Sequence, residues 1–159
     1  MMDLRSGLVL ILLVAICLGV AAVGGWVTAG SVADWYPSLR KPSWNPPAWV
    51  FGPVWTALYL SMAIAAWLVW RRVGWRGASR AMVLFGVQLA LNAAWSPLFF
   101  GLRSPLAGLV DIVALWVAIA ATLVAFIRIA PLAGALLVPY WLWVSFATSL
   151  NAAIWSLNR

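Results

Sequence analysis

The sequence predicts an all-α integral membrane protein, a bundle of five transmembrane helices, and three observations carry that reading. Five apolar stretches take up almost all of the 159 residues. Each is near the roughly 20 residues that a helix needs to cross a hydrocarbon core. Hydrophobic residues make up 66% of the chain and charged residues 8%, whereas a soluble domain carries about 25% charged residues to cover its surface. The basic residues fall in the short connections between apolar runs, where Lys and Arg orient helices and meet lipid headgroups.

The five helices are expected at about 7–29, 46–70, 79–101, 105–128 and 132–157. The first follows Arg5, and its run Gly7–Val23 is longer than a signal-peptide core, so it reads as an uncleaved helix. The connection at about 30–45 carries Asp34, Trp35, Tyr36, Arg40 and Lys41, an aromatic and charged mixture suited to a membrane interface. Pro46 and Pro47 are expected to start the second helix, where a missing N–H costs nothing. Arg71-Arg72-Val73-Gly74-Trp75-Arg76 through Arg80 forms the second and most basic connection. The last two connections are tight: Leu102-Arg103-Ser104 before Pro105, and Arg128-Ile129-Ala130 before Pro131. Pro53, Pro97 and Pro139 fall inside helices, which membrane helices tolerate and which often mark kinks around a cavity. No repeat or low-complexity tract interrupts the chain, and residues 1–159 read as one transmembrane domain.

Composition also excludes functions. The net charge of +7 would suggest nucleic acid in a soluble protein; in short membrane loops it points to lipid, and no nucleic-acid partner is expected. The single cysteine, Cys17, rules out an intramolecular disulfide. The lack of histidine removes the commonest metal ligand, the usual haem ligand and the most frequent general base. There is no paired carboxylate, phosphate-cradling glycine loop or metal-ligand cluster, so no metal and no cofactor are expected. Five crossings place Arg5, Arg71, Arg72, Arg76, Arg80 and Arg128 on the N-terminal side, and Arg40, Lys41, Arg103 and Arg159 on the other. That bias favours a cytoplasmic N-terminus.

Helical spacing then groups the candidate ligand residues. Gln88, Asn92, Trp95 and Phe99 fall within about 60° of arc, a face carrying two amides and two aromatic rings. It reads as a pocket wall, or as amides bonding to neighbouring helices. Gly86, Ala90 and Ala94 run down nearly the opposite side as a small-residue ridge suited to close helix packing. Tyr140, Trp143, Ala147 and Asn151 share a face below Pro139, with a small residue between aromatics that leaves room for a ligand. Trp49, Trp55 and Tyr59 follow the Pro-Pro pair. Trp35, Trp70, Trp75 and Trp155, near helix ends, read as an interface belt. Asp111 is the one acidic residue well inside an apolar run. It is either a proton-relay or cation group, or a neutral or Arg-paired residue that locks packing. Ala114, Ala118 and Ala121 continue a small-residue seam, and Ala15 with Gly19 and Ala21 with Gly25 offer either a homodimer seam or a contact within the bundle.

The motifs resemble those of the translocator protein family, also called tryptophan-rich sensory proteins or peripheral-type benzodiazepine receptors, over nearly the whole chain. They are Lys41-Pro42-Ser43-Trp44-Asn45-Pro46-Pro47, Gly52-Pro53-Val54-Trp55-Thr56-Ala57-Leu58-Tyr59, Gln88-Leu89-Ala90-Leu91-Asn92-Ala93-Ala94-Trp95, Phe99-Phe100-Gly101, Pro139-Tyr140-Trp141-Leu142-Trp143 and Phe146-Ala147-Thr148-Ser149-Leu150-Asn151. The resemblance implies a five-helix bundle, often homodimeric, whose first long loop closes over a pocket for porphyrins, sterols or benzodiazepine-type compounds. By matching position the pocket would be lined by Trp55, Asn92, Trp95, Tyr140, Trp143 and Ala147, with Trp44 in the lid; Phe99 joins them from the amide-bearing face. The tryptophans matching Trp55 and Trp143 are implicated in light-driven porphyrin degradation by some bacterial members. The expected protein is thus a multi-pass receptor of the bacterial cell membrane that binds porphyrin as a ligand. The alternatives are a transporter of porphyrins, sterols or other amphiphiles, with Asp111 as the coupling group, and a light- or oxygen-dependent porphyrin-degrading enzyme. Arg40, Lys41 or Arg103 would meet the ligand's carboxylates. Two departures from the family pattern stand out. Leu150 to Arg159 lacks the tyrosine of the animal sterol-recognition stretch, and no long polar tail for recruiting partners follows.

Overall fold

The computed structural model describes residues 4–159. Four long helices account for most of them: α1 (Leu4–Asp34), α2 (Ala48–Ser96), α3 (Pro105–Ile129) and α4 (Pro131–Leu157). A 3₁₀ turn (Tyr36–Ser38) follows α1, a π-helical turn (Pro97–Gly101) follows α2, and no strand occurs among the described residues. Each long helix is apolar and long enough to cross a membrane.

The count is four, not the expected five, because the stretches expected at 46–70 and 79–101 form one element. Helix α2 is nonetheless not straight. The Tyr59 hydroxyl donates to the side chain of Asn92, 33 positions along the same helix, and a straight helix would hold those residues about 50 Å apart. The break is Gly74, at φ 66° and ψ 179°, a region reached almost solely by glycine. Around it α2 folds into two antiparallel arms that lie side by side. The sequence marks this place as a basic loop, but a single residue makes the reversal.

Local chemistry sets the other boundaries. Helix α1 runs beyond its expected end because its last turns are held: Thr28 Oγ1 donates to the Gly24 carbonyl at 2.7 Å, and the Ser31 hydroxyl to the Phe100 carbonyl at 2.8 Å. Helix α2 begins at Ala48, after the prolines, with Pro47 extended at ψ 142°. Pro97 lacks an N–H and opens the π-helical turn, in which the Leu102 N–H reaches back to the Pro97 carbonyl at 2.8 Å. Arg103, at φ 51°, then turns the chain. Ser104 caps α3 by accepting from the Ala107 N–H at 3.2 Å, with Pro105 in the first turn.

Helices α3 and α4 pair with each other and pack on α2, while α1 packs on α2 and on the two short turns. Tyr140, Phe126, Met62, Leu115, Ile119 and Leu137 are almost fully buried between them. Leu8, Ile11 and Val23 of α1 and Leu106, Val110 and Val117 of α3 point outward, an apolar surface that only lipid would solvate without penalty. Parts of the expected small-residue seams lie on this outer surface, while Ala21, Ala94, Ala118 and Ala121 are half-buried. Gly86, Ala90 and Ala114 are exposed, and nothing approaches the Cβ positions of Gly19, Gly25 or Gly86. Close packing occurs instead at Gly108, where a Cβ would sit 2.8 Å from the Phe99 ring and 3.1 Å from the Asn151 side-chain oxygen. Trp70, expected in the interface belt, is buried, whereas Trp75 beside it is exposed.

Gly74→Val is expected to cost about 1–3 kcal/mol, because the clash is with its own backbone rather than with a neighbour. Gly86→Val, on the open surface, should leave stability within about 0.5 kcal/mol. Denaturant unfolding in detergent, followed by circular dichroism, compares the two; equal losses would mean that Gly74 is not the strained position.

Candidate ligand site

The middle of the bundle is held by one hydrogen-bonded chain of side chains. The Tyr59 hydroxyl donates to the Asn92 carbonyl oxygen, the Asn92 amide donates to the Tyr140 hydroxyl at 2.7 Å, and Tyr140 donates to Gln88 Oε1 at 2.9 Å. The Gln88 amide ends the chain at the Met62 sulfur, 3.7 Å away. All five residues are buried. Inside a bilayer no water competes for such groups, so each pairs within the protein. The amide-bearing face therefore points at neighbouring elements, with Gln88 and Asn92 joining both arms of α2 to α4.

A second chain lies nearer the loop end. Trp95 stacks on Phe99 with ring centroids 5.1 Å apart, and its indole N–H donates to Asn151 Oδ1 at 3.2 Å. Asn151 donates in turn to the Pro105 carbonyl at 2.8 Å. Phe99 is 2% exposed, covered by Trp35, Tyr36 and Phe100. Of the eight candidate ligand residues, Asn92, Phe99 and Tyr140 thus stand inside the packing, behind the others.

The remaining candidates form a boundary layer. Trp55 is half-buried, 5.7 Å from the Tyr59 ring and 6.3 Å from that of Tyr140. Trp143 meets Phe51 at 5.9 Å and Phe146 at 5.5 Å, and Phe146 meets Trp44 of the loop at 5.7 Å. Ala147 is half-buried beside them and Trp44 is 48% exposed. The Trp143 indole N–H is buried and has no acceptor among the described residues. A ladder of rings therefore runs from Trp44 of the loop to Phe51, with one unpaired donor part-way along it, while Trp55 rests separately on the two tyrosines of the polar network.

The loop above this layer is fastened on several sides. The Lys41 ammonium donates to the carbonyls of Tyr36 and Leu39 at 2.7 and 2.9 Å and lies 4.7 Å from the centre of the Tyr36 ring. The Tyr36 hydroxyl donates to Asn45 at 3.1 Å. Burial raises the pKa of that hydroxyl and the Asn45 bond lowers it in part, so it stays protonated at neutral pH. Asn158, just past α4, accepts from the Arg40 N–H at 3.0 Å and donates to the Arg40 carbonyl at 2.9 Å. Arg103 pairs with Asp34 at 2.8 Å across the exposed surface. Two of the three cations expected to meet a ligand carboxylate are therefore engaged by the protein itself. Of these three, Arg40 is the one whose guanidinium is left without an acceptor among the described residues.

Asp111 is buried, and its Oδ2 has no hydrogen-bond partner among the described residues. It is not Arg-paired, since Arg103–Asp34 is the sole ion pair among the described residues. No cluster of three metal-ligating groups occurs among those residues. On the outer face of α3 and α4, a shallow groove of about 250 Å³ is lined by Val113, Trp116, Ser145 and Thr148. The Trp116 indole donates to the Ser145 hydroxyl there at 2.7 Å.

Comparison with known proteins now decides the family. A family model described as TspO/MBR family matches residues 13–156. The chain belongs to the TspO/MBR family. It is 48% identical to the tryptophan-rich protein TspO of Chlorobaculum tepidum over 95% of this chain and 96% of that one. It is 45% identical to the translocator protein of Homo sapiens over 86% and 82%, and 40% identical to the tryptophan-rich sensory protein of Cereibacter sphaeroides over 87% of each.

In this TspO/MBR member, sequence reasoning missed three contributors to the site. Phe51 lies one turn before Trp55 and Phe146 three residues after Trp143, so helical spacing is the signal that would have found both. Asn158 carried no signal, because its partner is backbone 118 positions away.

Tyr140→Phe would take the acceptor from the Asn92 NH2 and the donor from Gln88 Oε1, leaving one buried atom of each amide without a partner. The expected loss is about 1–2 kcal/mol, read from unfolding in detergent. A neutral result would show that the network does not hold the two arms of α2 to α4.

Proposed function

We propose that this TspO/MBR family member is a membrane binding protein for porphyrins and related flat amphiphiles, taken up between the loop at about 30–45 and the aromatic layer beneath it. The observation that carries the reading is the ring ladder Trp44–Phe146–Trp143–Phe51, with the buried unpaired N–H of Trp143 inside it. A planar apolar ring system stacks on such rings, and a few polar groups fix its orientation. Trp55, Trp95 and Ala147 complete the wall, while Asn92, Phe99 and Tyr140 form the rigid floor behind it. Arg40 is the cation left to meet a carboxylate. Benzodiazepine-type compounds suit the same slot, and sterols suit it less well because they offer no aromatic face. The reading includes five crossings, with each arm of α2 counted as one. It also includes a homodimer in a bacterial cell membrane.

The test is quenching of tryptophan fluorescence by protoporphyrin IX in detergent, for the wild type, Trp143→Phe and the distant Trp75→Phe. Saturable quenching at micromolar porphyrin or below, weakened about tenfold only in Trp143→Phe, is the expected result. Equal, non-saturating quenching in all three would mean that the porphyrin enters micelles and would remove the pocket. Loss of the porphyrin spectrum under illumination in the same samples would add turnover, with Trp55 or Trp143 relaying electrons.

The buried, unpaired Asp111 carboxyl favours a second reading, a transporter in which this group couples movement to protons. Porphyrin uptake into proteoliposomes should then fall at least tenfold in Asp111→Asn while binding persists. Unchanged uptake would take Asp111 out of the mechanism.

A further inference from the structure

The cations at the two ends of the bundle are used differently. At the loop end, Lys41 is held by loop carbonyls, Arg103 by Asp34, and Arg159 lies 5.5 Å from the centre of the Trp155 ring. At the other end, the reversal at Gly74 puts Arg71 and Arg72 at the close of one arm of α2 and Arg76 and Arg80 at the start of the next. Arg76 and Arg80 are one helical turn apart and share a face. The Trp67 indole donates to the Ser6 carbonyl at 3.0 Å, which brings Arg5 to the same end. All five arginines are exposed, and no acidic side chain among the described residues reaches any of them. Arg71 lies over the Trp67 ring at 4.5 Å, which fixes its stem along the helix.

A second observation lies at the same turn. Trp70 is 8% exposed, and its indole N–H has no acceptor among the described residues. Its ring packs against Trp75 on the far side of Gly74, with centroids 5.9 Å apart. Four exposed guanidinium groups between residues 71 and 80 are a donor set without an anion among the described residues. Guanidinium forks match phosphate oxygens bidentately. A paired tryptophan beside them suits the headgroup level of a bilayer.

We propose that the Gly74 turn is a binding site for the phosphate headgroup of acidic phospholipids, with Arg72, Arg76 and Arg80 as the phosphate ligands and Trp70–Trp75 as the wall beside the glycerol backbone. The site is separate from the aromatic layer under the loop and does not rest on the porphyrin reading. Lipid is favoured over a free anion because the turn joins two membrane-spanning arms, which puts its donors where phosphodiesters are concentrated.

Native mass spectrometry of the detergent-solubilised protein, titrated with dioleoylphosphatidylglycerol or dioleoylphosphatidylcholine, tests this. In a micelle the arginines have no part in setting orientation, so their topological role drops out. Saturable phosphatidylglycerol adducts are expected in the wild type and in Arg159→Gln. They should weaken about tenfold or more in Arg72→Gln/Arg76→Gln/Arg80→Gln, since each surface cation contributes a factor of about five before screening. Equal binding by the triple variant, equal binding of phosphatidylcholine, or displacement by millimolar inorganic phosphate would each overturn the proposal. If the triple variant loses helicity, Arg76→Gln alone is measured; about fivefold weakening is expected, and no weakening also overturns it.

Discussion

A bilayer gives buried polar side chains nothing to bond to but each other, and the arrangement of this bundle follows from that constraint. Tyr59, Asn92, Tyr140 and Gln88 satisfy one another in a single chain. To do so, both arms of α2 and the middle of α4 must meet at one depth. The apolar surfaces alone would not choose that register, because lipid tails solvate Leu and Val as well as a neighbouring helix does. Geometry supplies the rest of the specificity. Gly74 lets α2 fold back on itself, and Gly108 lets α3 come against Phe99 and Asn151. The aromatic layer under the loop then stands on a fixed floor, since Trp55 rests on the two tyrosines of the network.

Much of this was legible in the sequence because a membrane restricts the possible answers. Apolar runs of spanning length, prolines at helix starts and cations in connections were enough to give the class. The grouping of Gln88, Asn92, Trp95 and Phe99 on one face was also correct. What they face was not legible, since periodicity gives a direction around one helix and says nothing of what stands opposite. The hydroxyls that engage Gln88 and Asn92 come from tyrosines 33 to 52 positions away. Composition also hid the difference between a cation available to a ligand and one held by the fold: Lys41 and Arg103 read like Arg40 until their partners are seen. The helix count differed because a loop with four arginines and a glycine looks long enough to end two helices, when one left-handed residue suffices to reverse the chain.

Small residues carried the least information. Gly86, Ala90, Ala15, Gly19 and Gly25 have the spacing of close-packed helices, yet they lie on the outer surface of the bundle, while Ala21 packs against its core. Glycine and alanine are common in membrane helices whether or not a partner sits against them. The steric test at each Cβ position separates the two cases: Gly108 has no room for a side chain, and Gly86 has open space.

The amide of Asn158 grips both the N–H and the carbonyl of Arg40, as a neighbouring β-strand would, and also donates to the Ile154 carbonyl at the end of α4. The first loop and the last helix are thereby tied across almost the full length of the chain. Swinging the loop aside means opening a two-bond latch whose other half is α4, the helix that also carries Trp143 and Tyr140. Displacing the first loop and shifting α4 are therefore mechanically one event, and a disturbance at either end of the tie is felt at the other.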